Sequence, residues 1–196
     1  MSNASLPQLA VLISGRGSNM RSIISAIQTG QLNARICVVI SNRPDAEGLA
    51  FAEAAGIPVR TLDHKTFDSR EAFDQQLMAL IDTFQPDYIV LAGFMRILSA
   101  QFVAHYTNRL INIHPSLLPK FKGLNTHRRA IEAGETEHGA TVHFVTAELD
   151  DGPIILQASV PVLPDDTEET LAARVLVEEH KLYPDALKRL LQQHQG

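Results

Sequence analysis

The chain has 196 residues, 45% of them apolar, and a formal charge of -5 at neutral pH. That length buries one substantial core and makes a single domain over residues 1–196 the expectation, while the negative balance argues against a nucleic-acid footprint, which concentrates Lys and Arg on one face. No apolar run approaches the ~20 residues of a membrane span, Met1-Ser2-Asn3-Ala4 lacks the regions of a signal peptide, and the only cysteine, Cys37, cannot form an internal disulfide, so a cytoplasmic protein with a flexible tail over about residues 1–8 is expected.

In chain order, Leu9-Ala10-Val11-Leu12-Ile13 is apolar on both parities and suits a strand buried on both faces, ending in the turn Ser14-Gly15-Arg16-Gly17. A helix follows, with Ser18 as its expected cap and Met20, Ile23, Ile24 and Ile27 at helical spacing before Gly30. Ile36 to Ile40 reads as a second strand that buries the Cys37 thiol, Asp45 as the cap of a small-residue helix ending near Gly56, and Val59 to Leu62 as a third strand. Asp68 and Glu71 have capping-box spacing ahead of a helix with Phe73, Leu77, Ile81 and Phe84, which Pro86 ends, and Tyr88 to Leu91 is the fourth strand. This alternation implies right-handed crossovers and a largely parallel sheet covered on both faces, with ligands at the carboxyl ends of the strands. Leu110 to His114 is a strand with polar groups at its exit, Thr141 to Val145 and Ile154 to Val160 read as a hairpin, and a helix capped at Asp166 or Thr167 runs on through Leu191, kinked or split at Pro184.

Gly15-Arg16-Gly17-Ser18-Asn19 lies between the first strand and the first helix, where free N–H groups and the helix dipole favour an anion. As a dinucleotide fingerprint it is broken, because Met20 replaces the third glycine and no ribose-binding acid follows the second strand, although Arg43 can accept the extra phosphate of NADP; the plainer reading is a turn that needs glycine for its backbone angles. Period-two geometry sets Asn112 and His114 on one side of their strand, an amide beside an imidazole, which is what stabilising a developing oxyanion requires. Asp150, in the hairpin turn, can reach that strand end and orient the imidazole in its charged form, while the plain reading leaves Asp150 and Asp151 as solvated turn formers. No HExxH or thiolate cluster points to a metal.

Four stretches together, Leu12 to Asn19, Leu91-Ala92-Gly93-Phe94-Met95-Arg96-Ile97-Leu98, Asn112 to Pro119, and His138-Gly139-Ala140-Thr141-Val142-His143 leading to Leu149-Asp150, resemble the folate-dependent formyltransferases, among them those that act on glycinamide ribonucleotide in purine synthesis. The resemblance runs from about Leu9 through the final helix and implies their fold, a three-layer, Rossmann-like, mostly parallel twisted α/β sheet with helices on both faces and a mixed C-terminal part. It implies formyl transfer from 10-formyltetrahydrofolate to the amine of N1-(5-phospho-D-ribosyl)glycinamide, without a metal, by a monomer or homodimer whose partners are these small molecules. Asn112, His114 and Asp150 would be the catalytic trio; Gly17, Ser18 and Asn19 would hold the phosphate, and Leu176, Val177, Glu178 and Glu179 would approach the ribose. The formyl folate would lie against Arg70, Met95, Arg96, Ile97, Leu98, Asn112, Thr146, Ala147, Glu148, Leu149 and Asp150, with Arg70 toward the glutamate tail. Asp151 departs from the small residue, such as glycine, that the resemblance leads one to expect.

Members of that superfamily acting on initiator tRNA carry a further basic domain and the formyltetrahydrofolate hydrolases an extra regulatory domain, for neither of which this chain has room. The alternatives are a hydrolase-like activity and a non-catalytic nucleotide or NADP-binding protein that uses only the glycine loop.

Overall fold

A computed structural model describes residues 5–193, which fall into two compact units divided between Ile111 and Asn112. In the first, strands β1 (Gln8–Ile13), β2 (Arg35–Ser41), β3 (Val59–Thr61) and β4 (Tyr88–Leu91) stand in the order β3-β2-β1-β4, every pair parallel. Leu9 to Ile13 are all buried, as the run apolar on both parities requires. Of the expected tail, residues 1–4 lie outside the described residues, and Pro7 and Gln8 are tied in: the Pro7 carbonyl accepts from the Arg35 N–H at 2.9 Å, and Gln8 opens β1.

Helices α1 (Ser18–Gln28), α2 (Glu47–Ala54), α3 (Arg70–Asp82) and α4 (Ala100–His105) complete this unit, and three of the expected caps are displaced by one residue. Gly17, left-handed at φ 66°, precedes α1, so Ser18 is the first helical residue and caps nothing. Ala46 precedes α2, because the Asp45 carboxylate is drawn to the Arg43 guanidinium at 3.0 Å. Ser69, rather than Asp68, caps α3 by accepting from the Ala72 N–H at 3.1 Å. Helix α4 was unexpected: six residues give too little periodicity to read, yet Ser99 caps it and the buried Asp74 carboxylate of α3 accepts from the Ser99 N–H at 2.7 Å, fastening its start. The Cys37 thiol is half-buried, donating to the Leu9 carbonyl at 3.4 Å, which corrects the expectation of full burial; what burial it has raises its pKa.

Strand β5 (Leu110–His114) starts in the first unit, where the Arg109 carbonyl before it accepts from Ile89 of β4 at 2.8 Å, and ends in the second. There the order runs β5-β6-β7, with β6 (Glu137–Phe144) and β7 (Ile154–Pro161) an antiparallel hairpin whose first strand begins four residues earlier than expected. The short helix α5 (Thr126–Glu132), also missed in the sequence, and the long α6 (Glu168–Gln193) complete it, α6 against β6 and β7. Thr167 caps α6 by accepting from the Thr170 N–H. Pro184 neither splits nor ends α6: losing one helical bond costs ~3 kcal/mol, but Leu182, Tyr183 and Leu187 around it are buried, each worth roughly 1.5–3 kcal/mol.

Two features of this unit yield predictions. A Cβ on Gly139 would lie 2.0 Å from the Ala158 carbonyl oxygen across the hairpin, so Gly139→Ala must part the two backbones; a loss of about 3 kcal/mol is expected, read from urea midpoints. His127 and His138 sit with ring nitrogens 3.1 Å apart, and burial above all, then the charges of His127 and His114, pulls His138 down to about 4. The unfolded chain, with an ordinary value of 6.5, binds this proton first on acidification, so the stability is complete above about pH 6.5 and is lost as pH falls toward 4. Urea titrations at several pH values should show a flatter dependence between pH 6.5 and 4 for His138→Asn than for the wild type; parallel curves would refute this.

Candidate active site

The first unit is hollowed at its strand exits. Ser14 to Asn19, Arg43, Ala92, Gly93 and Met95 line a cavity of about 330 Å³ into which the start of α1 opens. Ser14 organises it: its hydroxyl donates to the Asn42 side chain beyond β2 and accepts from the Met95 N–H beyond β4 at 2.8 Å, tying together the exits of three strands. Gly48 closes the wall, its N–H donating to the Gly15 carbonyl at 3.0 Å, with no room for a side chain between Ile13 and that turn. Arg43, the residue that could accept the phosphate of NADP, is instead paired with Asp45.

Met95 and Ile97 are 74% and 68% exposed, so the loop after β4 presents apolar side chains outward; Arg96 stacks 5.2 Å over Phe73, one turn along α3 from the exposed Arg70, and Leu98 is half-buried. An apolar platform with an arginine beside it suits a flat ring system bearing an acidic tail.

The second unit carries the titratable groups. Asn112 is half-buried and His114 buried on β5. His114 Nδ1 lies 3.5 Å from Asp150 Oδ2, and Nε2 lies 2.9 Å from the Phe121 carbonyl oxygen. Both ring nitrogens face acceptors, an arrangement that only the doubly protonated ring satisfies fully. The same Asp150 oxygen accepts from the Gly123 N–H at 2.9 Å. Asp150 stands in the left-handed region at φ 49°, where a non-glycine residue is strained, and that conformation turns its carboxylate inward. Gly152 fixes the loop from behind, since a Cβ there would lie 1.7 Å from the Phe144 carbonyl oxygen. Asp151 points elsewhere and pairs with Lys122, so the residue that departs from the expected small one leaves the Asp150 carboxylate to His114. Thr146, Ala147, Glu148 and Leu149 form the exposed part of the β6–β7 loop.

The loop after β5 is held by Thr141 of β6, whose hydroxyl donates to the Ser116 carbonyl at 2.7 Å and accepts from the Leu118 N–H and the Gln157 amide, a complete set for one hydroxyl. Arg129 of α5 donates to the Lys122 and Leu124 carbonyls and lies 5.4 Å over the Phe121 ring. On α6, Glu179 is 8% exposed, whereas Leu176 and Val177 face outward and Glu178 pairs with Lys181 at 2.9 Å. Sequence reasoning assigned no role to His143, which is 2% exposed and places Nε2 4.0 Å from Asp150 Oδ1. The signal was available, because period two sets His143 on the same side of β6 as Thr141.

The family described as formyl transferase matches residues 7–187. The phosphoribosylglycinamide formyltransferase of Escherichia coli (strain K12) is 56% identical over 90% of this chain and 83% of its own length. The trifunctional purine biosynthetic protein adenosine-3 of Drosophila pseudoobscura pseudoobscura is 51% identical over 93% of this chain, which spans only 14% of that larger protein. Among solved structures, the phosphoribosylglycinamide formyltransferase of Coxiella burnetii superposes with a TM-score of 0.89 at 54% identity, over 94% of this chain and 86% of that one. Parallel strands followed by an antiparallel hairpin are thus the formyltransferase fold, and the chain belongs to the formyl transferase family, on its phosphoribosylglycinamide formyltransferase branch.

Proposed function

We propose that this protein, as a single formyltransferase domain in the cytoplasm, moves the formyl group of 10-formyltetrahydrofolate to the amine of N1-(5-phospho-D-ribosyl)glycinamide, releasing formylglycinamide ribonucleotide and tetrahydrofolate. The observation that carries it is His114, with the Asp150 carboxylate facing one ring nitrogen and the Phe121 carbonyl the other. The folate supplies an activated formyl group on a nitrogen that can leave. Met95 to Leu98 and Thr146 to Asp150 flank its ring system, and Arg70 meets its acidic tail. Gly17, Ser18 and Asn19 hold the phosphate of the second substrate at the start of α1, and Leu176 to Glu179 lie toward its ribose.

As the amine adds to the formyl carbon, the formyl oxygen gains negative charge. The Asn112 amide and the protonated His114 donate to it, the oxygen taking the place of the Phe121 carbonyl on Nε2. Asp150 keeps the imidazole oriented and, through water, helps remove the proton from the attacking nitrogen; that proton ends on the folate nitrogen as its bond to carbon breaks. No covalent bond to the protein forms, and holding two substrates side by side supplies much of the remaining advantage.

The test is release of tetrahydrofolate by the purified chain with and without the glycinamide substrate. Release that depends on the amine is expected; release indifferent to it would mean a hydrolase, and none at all would leave only the nucleotide-binding reading. His114→Ala and Asp150→Ala should each lower kcat on the order of 10² to 10³-fold with the circular dichroism of the wild type retained, and near-normal turnover in either would remove it from the reaction. Asn19→Ala should mainly raise KM for the phosphorylated substrate; a change confined to folate affinity would overturn the phosphate assignment.

A further inference from the structure

The Asp150 carboxylate has two oxygens, and the reading above uses one. Oδ2 takes the Gly123 N–H and faces His114; Oδ1 faces Nε2 of His143 at 4.0 Å. The other nitrogen of that ring, Nδ1, lies 2.9 Å from the Phe144 carbonyl oxygen, which can only accept. The ring proton therefore belongs on Nδ1, and Nε2 presents a lone pair. Nε2 is buried and has no hydrogen-bond partner among the described residues. An ionised carboxylate is also purely an acceptor, so two buried acceptors face each other at a separation too long for a direct bond and costly without a donor between them. A water with its oxygen ~2.8 Å from each spans that separation with its two O–H groups at roughly a right angle, close to its natural geometry.

Resting on the formyl-transfer reading, we propose that His143 is a positioning residue that completes a proton station: it holds, with Oδ1 of Asp150, a water that donates to both, and its Nε2 stores the proton given up by the attacking amine. The balance is simple. The water accepts one proton from the amine side and passes another to Nε2; the ring becomes an imidazolium whose Nδ1–H still meets Phe144, and the reverse step returns one proton to the leaving folate nitrogen. No oxidant or further co-reactant is required. Burial, the largest cause, sets the affinity of His143 for a proton below that of an ordinary histidine, against the Phe144 carbonyl and the Asp150 charge, so the ring is neutral and ready at neutral pH; His114 from β5 and Asp150 from the β6–β7 loop are the charged groups that face it.

The test compares His143→Leu, which removes the acceptor, with His143→Gln, whose side-chain oxygen restores one. For the leucine variant kcat should fall on the order of tenfold to a hundredfold with both KM values within about twofold, while the glutamine variant recovers most of the rate. Wild-type kcat in the leucine variant, or equal losses in both, would overturn the proposal. Nitrogen-15 NMR of the wild-type ring at pH 7.5 gives a readout independent of turnover and of how either variant folds: the Nδ1–H neutral tautomer is expected, and an Nε2–H tautomer would overturn the assignment. A wild-type protein that shows this tautomer but no amine-dependent turnover would instead sink the formyl-transfer reading.

Discussion

A carboxylate buried between two imidazoles is expensive to build, and much of the second unit is arranged around that expense. Removing an isolated carboxylate from water costs several kcal/mol, repaid only when each lone pair finds a donor in good geometry. Asp150 finds the Gly123 amide and His114 on one oxygen, while the other faces His143 Nε2 at 4.0 Å. The surroundings follow. The left-handed backbone at Asp150 turns the carboxylate inward, Gly152 lets the chain pass directly under the Phe144 carbonyl, and the Phe144 carbonyl in turn sets the tautomer of His143. One backbone oxygen thus shapes the turn and assigns a proton.

The opposing wall of the site carries comparable strain. Phe121 and Asn125 have positive φ, each costing on the order of 1–3 kcal/mol for a non-glycine residue, and Gly123 lies between them. Such a loop persists only when its surroundings over-determine it. Here Arg129 provides two charge-assisted bonds to loop carbonyls, Ser116 donates to the Lys120 carbonyl at 2.6 Å, and the Gly123 N–H is consumed by Asp150. The loop that offers its Phe121 carbonyl to His114 is therefore itself held partly by the acid that orients His114.

How far this was legible in the sequence depended on the range of the physics involved. Both-parity apolar runs marked β1, β2 and β4, because burial on two faces leaves little choice of residue, and polar exits marked the strand carrying Asn112 and His114. Helix starts were misread by one residue at Ser18, Asp45 and Asp68, where several side chains are chemically fit to cap and only local geometry chooses among them. The six- and seven-residue helices α4 and α5 hold less than two turns of period, and α4 is fixed by the tertiary bond from Asp74, which no local pattern encodes. In the candidate site, the approach of His114 to Asp150 was readable because a strand exit and a hairpin turn belong at one end of a sheet. His143 was legible only in part: period two sets it on the side of β6 that carries Thr141, but no local pattern says that an acid lies opposite its Nε2.

The two units divide the chemistry in a way their folds explain. A parallel sheet aligns strand exits and helix starts, so the first unit offers backbone N–H groups and dipoles, which bind charge without titrating. An antiparallel hairpin returns the chain upon itself and brings side chains from β5, β6 and the connecting loop within a few ångströms, so the second unit collects the titratable groups His114, His143 and Asp150. Fixed charges are best suited to a phosphate that stays ionised throughout. Groups that can take up and release a proton within a few ångströms of one another suit the proposed amine transfer, since the amine's own proton must leave and reappear within a single turnover.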